Sequence, residues 1–266
     1  SANLTRLIAD LCEVARFQGF MDPPPVAEFV SALNEPSFEG VFATLLQLHA
    51  RQQGKIRGAD KTPEHHRYLA EIIEKFPGSP VIFLLRDPRD TVLSIRKALG
   101  TSLAGAVRMW RSAYDSYCRF ANRVHGVRYE DLVSQPEKIA KEICALLDEP
   151  FEPEMFRYSD RIPKSLAARP NFSKLLKRVD SASVGSFREM AARDIQWIEA
   201  VCRDGMEALG YPFVAARPQC IRLSAPSRME FVFDRLRYYG FDRKRWRRGW
   251  MRWKIALRLR ARHVFS

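Results

Sequence analysis

At 266 residues with 46% apolar side chains, the chain is long enough for one large α/β domain or two small ones, and too apolar to be globally disordered. Its net charge of +13 is unevenly spread: residues 228–266 hold 13 Lys or Arg against 3 Asp or Glu, a net +10 that leaves about +3 on the rest. Five widely spaced cysteines without a CxxC argue against a disulfide framework or a zinc site and for a reducing, cytoplasmic compartment.

The opening Ser1-Ala2-Asn3-Leu4 is not a signal peptide, and no apolar run approaches the roughly 20 residues that span a bilayer. Leu4, Leu7, Ile8, Leu11 and Val14 recur at helical spacing, which predicts a helix over 4–20, broken by the prolines up to Pro25. Two more helices are expected over 25–33 and 37–53. The second carries Phe38, Val41, Phe42, Leu45 and Leu48 on one face and ends at Gly54. Lys55 to Asp60 reads as a short strand, and Thr62-Pro63 opens a helix that runs to about Lys75.

After the turn Phe76-Pro77-Gly78-Ser79 comes the continuous apolar run Val81-Ile82-Phe83-Leu84-Leu85, which reads as a central strand buried on both faces. Asp87 is a natural N-cap and Pro88 a natural first residue for the helix that follows. The grammar repeats, with a strand over 124–129 and a helix from Pro136 that sets Ile139, Ile143, Leu146 and Leu147 on one side. A long helix over 191–209 stops at Gly210. This alternation implies a three-layer α/β domain with a mostly parallel sheet, over residues 1–215, with 216–266 as a basic tail.

Within Arg86-Asp87-Pro88-Arg89-Asp90-Thr91-Val92-Leu93-Ser94, Arg86 falls at the carboxyl end of a strand. Ligands of open α/β sheets bind at that edge. The next helix aims its free N–H groups at the same place, and Ser94 lies two turns in, seven residues after Asp87. A guanidinium fork and a hydroxyl so placed can grip a terminal phosphate. Pairing of Arg86 with a nearby carboxylate, and a buried backbone-bonded Ser94, is the alternative.

The order Asp60-Lys61-Thr62-Pro63, then Arg86-Asp87-Pro88-Arg89-Asp90 with Ser94, then Arg128-Tyr129-Glu130-Asp131-Leu132 resembles sulfotransferases that use 3′-phosphoadenosine 5′-phosphosulfate (PAPS). It is closest in character to their bacterial and tyrosylprotein branch, across roughly residues 55–213. The resemblance implies a P-loop-NTPase-like sulfotransferase fold and transfer of a sulfuryl group from PAPS to a hydroxyl or amine, with no metal. It implies that Arg86 and Ser94 hold the 3′-phosphate, that Tyr129 lies beside the adenine, and that Lys61 stabilises charge during transfer. It implies that a loop over 171–188 folds on the nucleotide through Ser173, Lys174, Lys177, Ser183 and Gly185. Against this stand an ordinary strand-end aromatic, a solvated lysine and a plain basic loop.

The chain departs from the family in two respects. No Pro-Arg-Ser-Gly-Thr-Thr-type or Lys-Ser-Gly-Thr loop, which would hold the 5′-phosphosulfate, precedes Lys61, and no catalytic glutamate is placed; Glu13 and Glu28 are candidates by position only. The sequence therefore reads as a piece of a longer enzyme, favoured by the non-Met start, or as a degenerate relative, and by itself as inactive or nearly so. The missing strand would be central to the sheet, so its loss should expose apolar surface. A non-catalytic binding or scaffold domain is the competing class. A kinase-like phosphotransferase is disfavoured, because no GxxxxGK[ST] occurs.

Over 241–264, Trp246, Trp250, Trp253 and Leu257 form a stripe among arginines. That pattern suits an anionic membrane surface, which would make the protein peripheral at a membrane. A helix docked on its own domain and, less favoured, a nucleic-acid-binding arm are the alternatives.

Overall fold

The computed structural model describes residues 2–12, 25–161 and 181–215, which divide between two compact units with the break at His65–His66. The expected helix over 13–20, Glu13, the loop residues Ser173, Lys174 and Lys177, and the basic tail lie outside the described residues.

The first unit holds α1 (Ala2–Cys12), α2 (Val26–Ala32) and α3 (Phe38–Gln52). Leu4 and Ile8 of α1 meet Phe29 of α2 and Val41 and Leu48 of α3 in one apolar cluster. The helical period therefore produces the expected packing. Ser37 caps α3 by accepting from the Gly40 N–H at 3.0 Å, and Gly54 follows the helix at φ +64°. Phe38 departs from the expected apolar face and is 64% exposed, because it sits in the first turn, beyond the reach of the cluster. Lys55 to Asp60 forms no strand. Among the described residues no strand pairs with this short segment to share its backbone hydrogen bonds, and Ile56 is 96% exposed.

The second unit is built around a parallel pair of strands, β1 (Ile82–Leu85) and β2 (His125–Arg128), in the register Ile82 to His125 through Leu85 to Arg128. Ahead of β1 stands α4 (Leu69–Lys75), preceded by a 3-10 turn over Pro63–Tyr68. Between the strands run α5 (Pro88–Leu99) and α6 (Leu103–Phe120). After β2 come α7 (Tyr129–Ser134) and α8 (Pro136–Leu146), and later α9 (Ala192–Val201) and α10 (Arg203–Ala208). The fold is α/β, mostly helical, with a small parallel sheet. A crossover of two helices between parallel strands is what such a pair demands, since no hairpin can join them.

The core gathers Leu85, Val92, Val107, Trp110, Tyr114, Ile198, Cys202 and Met206. It lies on one face of β1 only: Ile82 and Leu84, which point the other way, are 39% and 54% exposed. The strand expected to be buried on both faces is thus covered on one, and among the described residues β2 is the strand that pairs with it. On α8 the buried residues are Ala140 and Cys144, one position beyond Ile139 and Ile143, and Leu146 is exposed. The expected single helix over 191–209 is two, α9 and α10, parted at Cys202, whose ψ of 15° leaves the helical range. Burial pushes the Cys202 thiol up to about 12, so it packs as an inert apolar group.

Candidate functional site

Asp87 caps α5 as its sequence position predicts. Its carboxylate accepts from the Arg89 N–H at 2.8 Å, and Pro88 takes the first turn, where a missing N–H costs nothing. The Asp87 N–H donates to Glu130 Oε1 at 3.0 Å, and Glu130 Oε2 accepts from the Tyr211 hydroxyl at 2.8 Å. The end of β1 is thereby tied to the start of α7. Burial, followed by the bond to Glu130, raises the Tyr211 hydroxyl well above its ordinary pKa, so it stays a donor.

Arg86 follows β1 directly. Its carbonyl accepts from Trp110 Nε1 at 3.0 Å. That guanidinium is 21% exposed and lies 4.4 Å from the centroid of the Tyr129 ring. Nη2 donates to the Ser183 carbonyl at 2.6 Å, and the Tyr129 hydroxyl pairs with Ser183 Oγ at 2.7 Å. Asp90 Oδ2 stands 3.9 Å from Nη2, at the limit of an ion pair. The buried Nε of Arg86 has no hydrogen-bond acceptor. A buried charged donor left open in this way is costly unless something anionic completes it.

The structure therefore brings together three of the residues singled out from sequence: Arg86, Tyr129 and Ser183. Gly185 is near them, its N–H donating to Asp90 at 2.7 Å. Ser94 is exposed on α5 and makes no hydrogen bond to Arg86; it shares the Asp87–Asp90 face of that helix by its spacing. Lys61 is exposed and lies in the first unit, where its neighbour Asp60 pairs with His65 at 3.0 Å.

Three residues that sequence reasoning gave no role support the site. Arg89 is 2% exposed and donates twice to Asp87, at 3.0 Å and 2.6 Å, and to Glu199 Oε1 at 2.5 Å. Glu199, fully buried on α9, also accepts from the N–H groups of Val214 and Ala215. Asp90 holds the segment around Gly185. Asp90 was visible as the last acid of the first α5 turn, but nothing in the sequence marks Glu199 as the partner of a residue 110 positions away.

The sequence profile of the sulfotransferase family matches residues 6–153, more than half of the chain, and takes in Lys61, Arg86, Ser94 and Tyr129. The chain belongs to the sulfotransferase family. Two solved sulfotransferase domains share its fold. The sulfotransferase domain from the curacin biosynthetic pathway is 20% identical, with 78% of this chain and 79% of that one covered and a TM-score of 0.53. The sulfotransferase domain of the Synechococcus PCC 7002 olefin synthase is 24% identical, with 79% and 75% covered and a TM-score of 0.54. No functionally curated protein matches the chain. The sulfotransferase match ends before Ser183, so the contact of Ser183 with Arg86 and Tyr129 comes from the structure alone.

Proposed function

We propose that this sulfotransferase chain holds PAPS by its 3′-phosphate at Arg86. The observation that carries the reading is the buried, unaccepted Nε of Arg86 at the carboxyl end of β1, beside the start of α5. A phosphate oxygen would complete that donor, and the guanidinium fork suits a tetrahedral anion. Tyr129, already stacked beneath the guanidinium, offers its ring to an adenine. Ser94 on α5 and Ser183 on the facing segment would add hydroxyl donors, Gly185 would let the backbone of that segment approach the nucleotide, and Ser173, Lys174 and Lys177 are assigned further contacts to it.

Bound PAPS supplies a sulfuryl group for a hydroxyl or amine acceptor. This chain's residues orient the donor from its nucleotide end, which fixes the line of transfer. Lys61 is assigned the stabilisation of charge that develops during transfer. Since the 266 residues include no Ser-Gly-Thr-type loop, donor binding is the property proposed for them as they stand, and transfer is proposed where such a loop accompanies them.

Titration calorimetry on the full chain tests the reading with 3′-phosphoadenosine 5′-phosphate (PAP) against adenosine 5′-phosphate (AMP). PAP should bind about tenfold or more tightly, the worth of charge-assisted bonds to the extra phosphate. Equal affinities would overturn it.

The tail over 241–264 is assigned to an anionic membrane surface, with the protein cytoplasmic and peripheral. Its net charge alone would serve any polyanion; the tryptophan stripe is what favours lipid. Each basic residue near such a surface contributes about 1 kcal/mol, screened by salt. The full chain should co-sediment with phosphatidylserine vesicles, less so in high salt, and a chain ending at residue 227 should not. Equal sedimentation of both removes the assignment.

A further inference from the structure

We propose that Asp90 is a positioning residue that fixes the segment Ser183–Phe187 over Arg86 before any nucleotide arrives, an inference that rests on the donor-binding reading above. The Asp90 side chain is 1% exposed. Its two oxygens are both used, and on alternate residues of one segment: Oδ2 accepts from the Gly185 N–H at 2.7 Å and Oδ1 from the Phe187 N–H at 2.8 Å. Two bonds at alternate residues fix the direction of a segment as well as its distance.

The carboxylate is available for this task because of its neighbours. An acid at the third position of a helix usually reaches back to the N–H of the capping residue. Here the Asp87 N–H is already taken by Glu130, so neither oxygen of Asp90 is needed there. Gly185 supplies the other half of the fit. It sits at φ +76°, a conformation that L side chains rarely adopt, and a Cβ there would run into the Arg188 guanidinium.

Other ties from α5 reach residues beyond this segment, and they are weaker. Lys97 meets Glu189 at 2.9 Å and Arg96 meets Asp194 at 3.6 Å, all four side chains a third or more exposed. Exposed pairs of this kind contribute little. The Arg89 guanidinium lies 4.0 Å from the Phe187 ring centroid and steadies that end. The buried bonds to Asp90 are therefore what set the height of the segment. Two residues earlier, Ser183 consequently arrives with its carbonyl on Arg86 and its hydroxyl on Tyr129. Asp90 acts on the donor through Ser183 and Arg86 rather than by contact.

The test compares PAP and AMP affinities in the full chain and in Asp90→Asn, together with amide hydrogen exchange at Gly185 and Phe187. The amide of asparagine turns a donor toward one of the two N–H groups, so one bond is lost and the segment is released. The PAP-to-AMP affinity ratio should fall about tenfold, the scale of one hydrogen bond to a charged group, with faster exchange at both amides. A ratio left unchanged in the folded variant overturns the proposal. So does an equal loss of both affinities, which is what a merely structural role would give. If Asp90→Asn does not fold, the unmutated chain decides. Its Gly185 and Phe187 amides must be protected without PAP, and exchange at the unprotected rate overturns the proposal. Failure of the unmutated chain to prefer PAP overturns the donor reading instead, and is seen before any variant is made.

Discussion

Glu199→Ala is expected to destabilise the second unit by about 3–5 kcal/mol, the cost of leaving a buried charge without its partner. Arg89 would keep Asp87, but its Nη1 would face an empty space, with the Pro212 carbonyl as the remaining acceptor. The arginine cannot escape by losing its proton. Burial alone would lower its pKa, but the bonds and charges of Asp87 and then Glu199 outweigh burial and hold it above the ordinary value. The N–H groups of Val214 and Ala215 lose their acceptor as well. Against a total stability of about 5–15 kcal/mol, such a loss should lower the melting temperature by ~10 °C. Glu199→Gln should cost less than Ala, since its one amide oxygen can still accept from Arg89 and Val214, although its NH2 then faces the Ala215 N–H and the charge is lost. The pair Arg89→Met with Glu199→Leu should not recover the loss, because it leaves the buried Asp87 carboxylate without its guanidinium and the Val214 and Ala215 N–H groups without their acceptor. Melting curves of the four chains decide it. A Glu199→Ala chain that melts with the unmutated one would show that the network carries no stability.

The local grammar of the chain was legible where a single residue decides the conformation. Asp87-Pro88 starts a helix and Gly210 ends one, since capping and φ are set by those residues themselves. Arg86 and Tyr129 were legible because both stand at strand ends, and in a parallel pair strand ends share one edge. Features set by distant chain were not. The run Ile82–Leu85 is as apolar as a strand covered on both faces, yet its composition cannot say how many neighbours it has. The sequence reading assigns no element to 103–120, although Leu103, Ala106, Val107, Trp110 and Tyr114 keep helical spacing and Ser102 caps them. Glu199 gave no signal at all. A buried carboxylate inside a helix is recognised only once the arginine that faces it is known.

Arg86→Ala should abolish the preference for PAP over AMP while leaving AMP affinity nearly unchanged. The variant keeps the residue-86 carbonyl on Trp110 and the Asp90 clamp on Gly185 and Phe187, and it gives up the guanidinium's contacts with the Tyr129 ring and the Ser183 carbonyl. Removing the guanidinium subtracts the phosphate contact while Asp90 still holds the segment that carries Ser183, and a side chain that is partly exposed leaves no sealed cavity. A charge-assisted bond to phosphate is worth roughly 1.5–3 kcal/mol, so PAP affinity should fall by about ten- to a hundredfold. Arg86→Lys separates charge from shape. A lysine keeps the charge but offers a point rather than a fork, so it should restore only part of the loss, and what it restores should fade with added salt. Ser94→Ala, on the neighbouring helix face, should cost less, the value of a neutral donor. Calorimetry with PAP and AMP at two salt concentrations measures all three variants. If Arg86→Ala binds PAP as the unmutated chain does, the open Nε is not a phosphate donor and the nucleotide end of the site lies elsewhere.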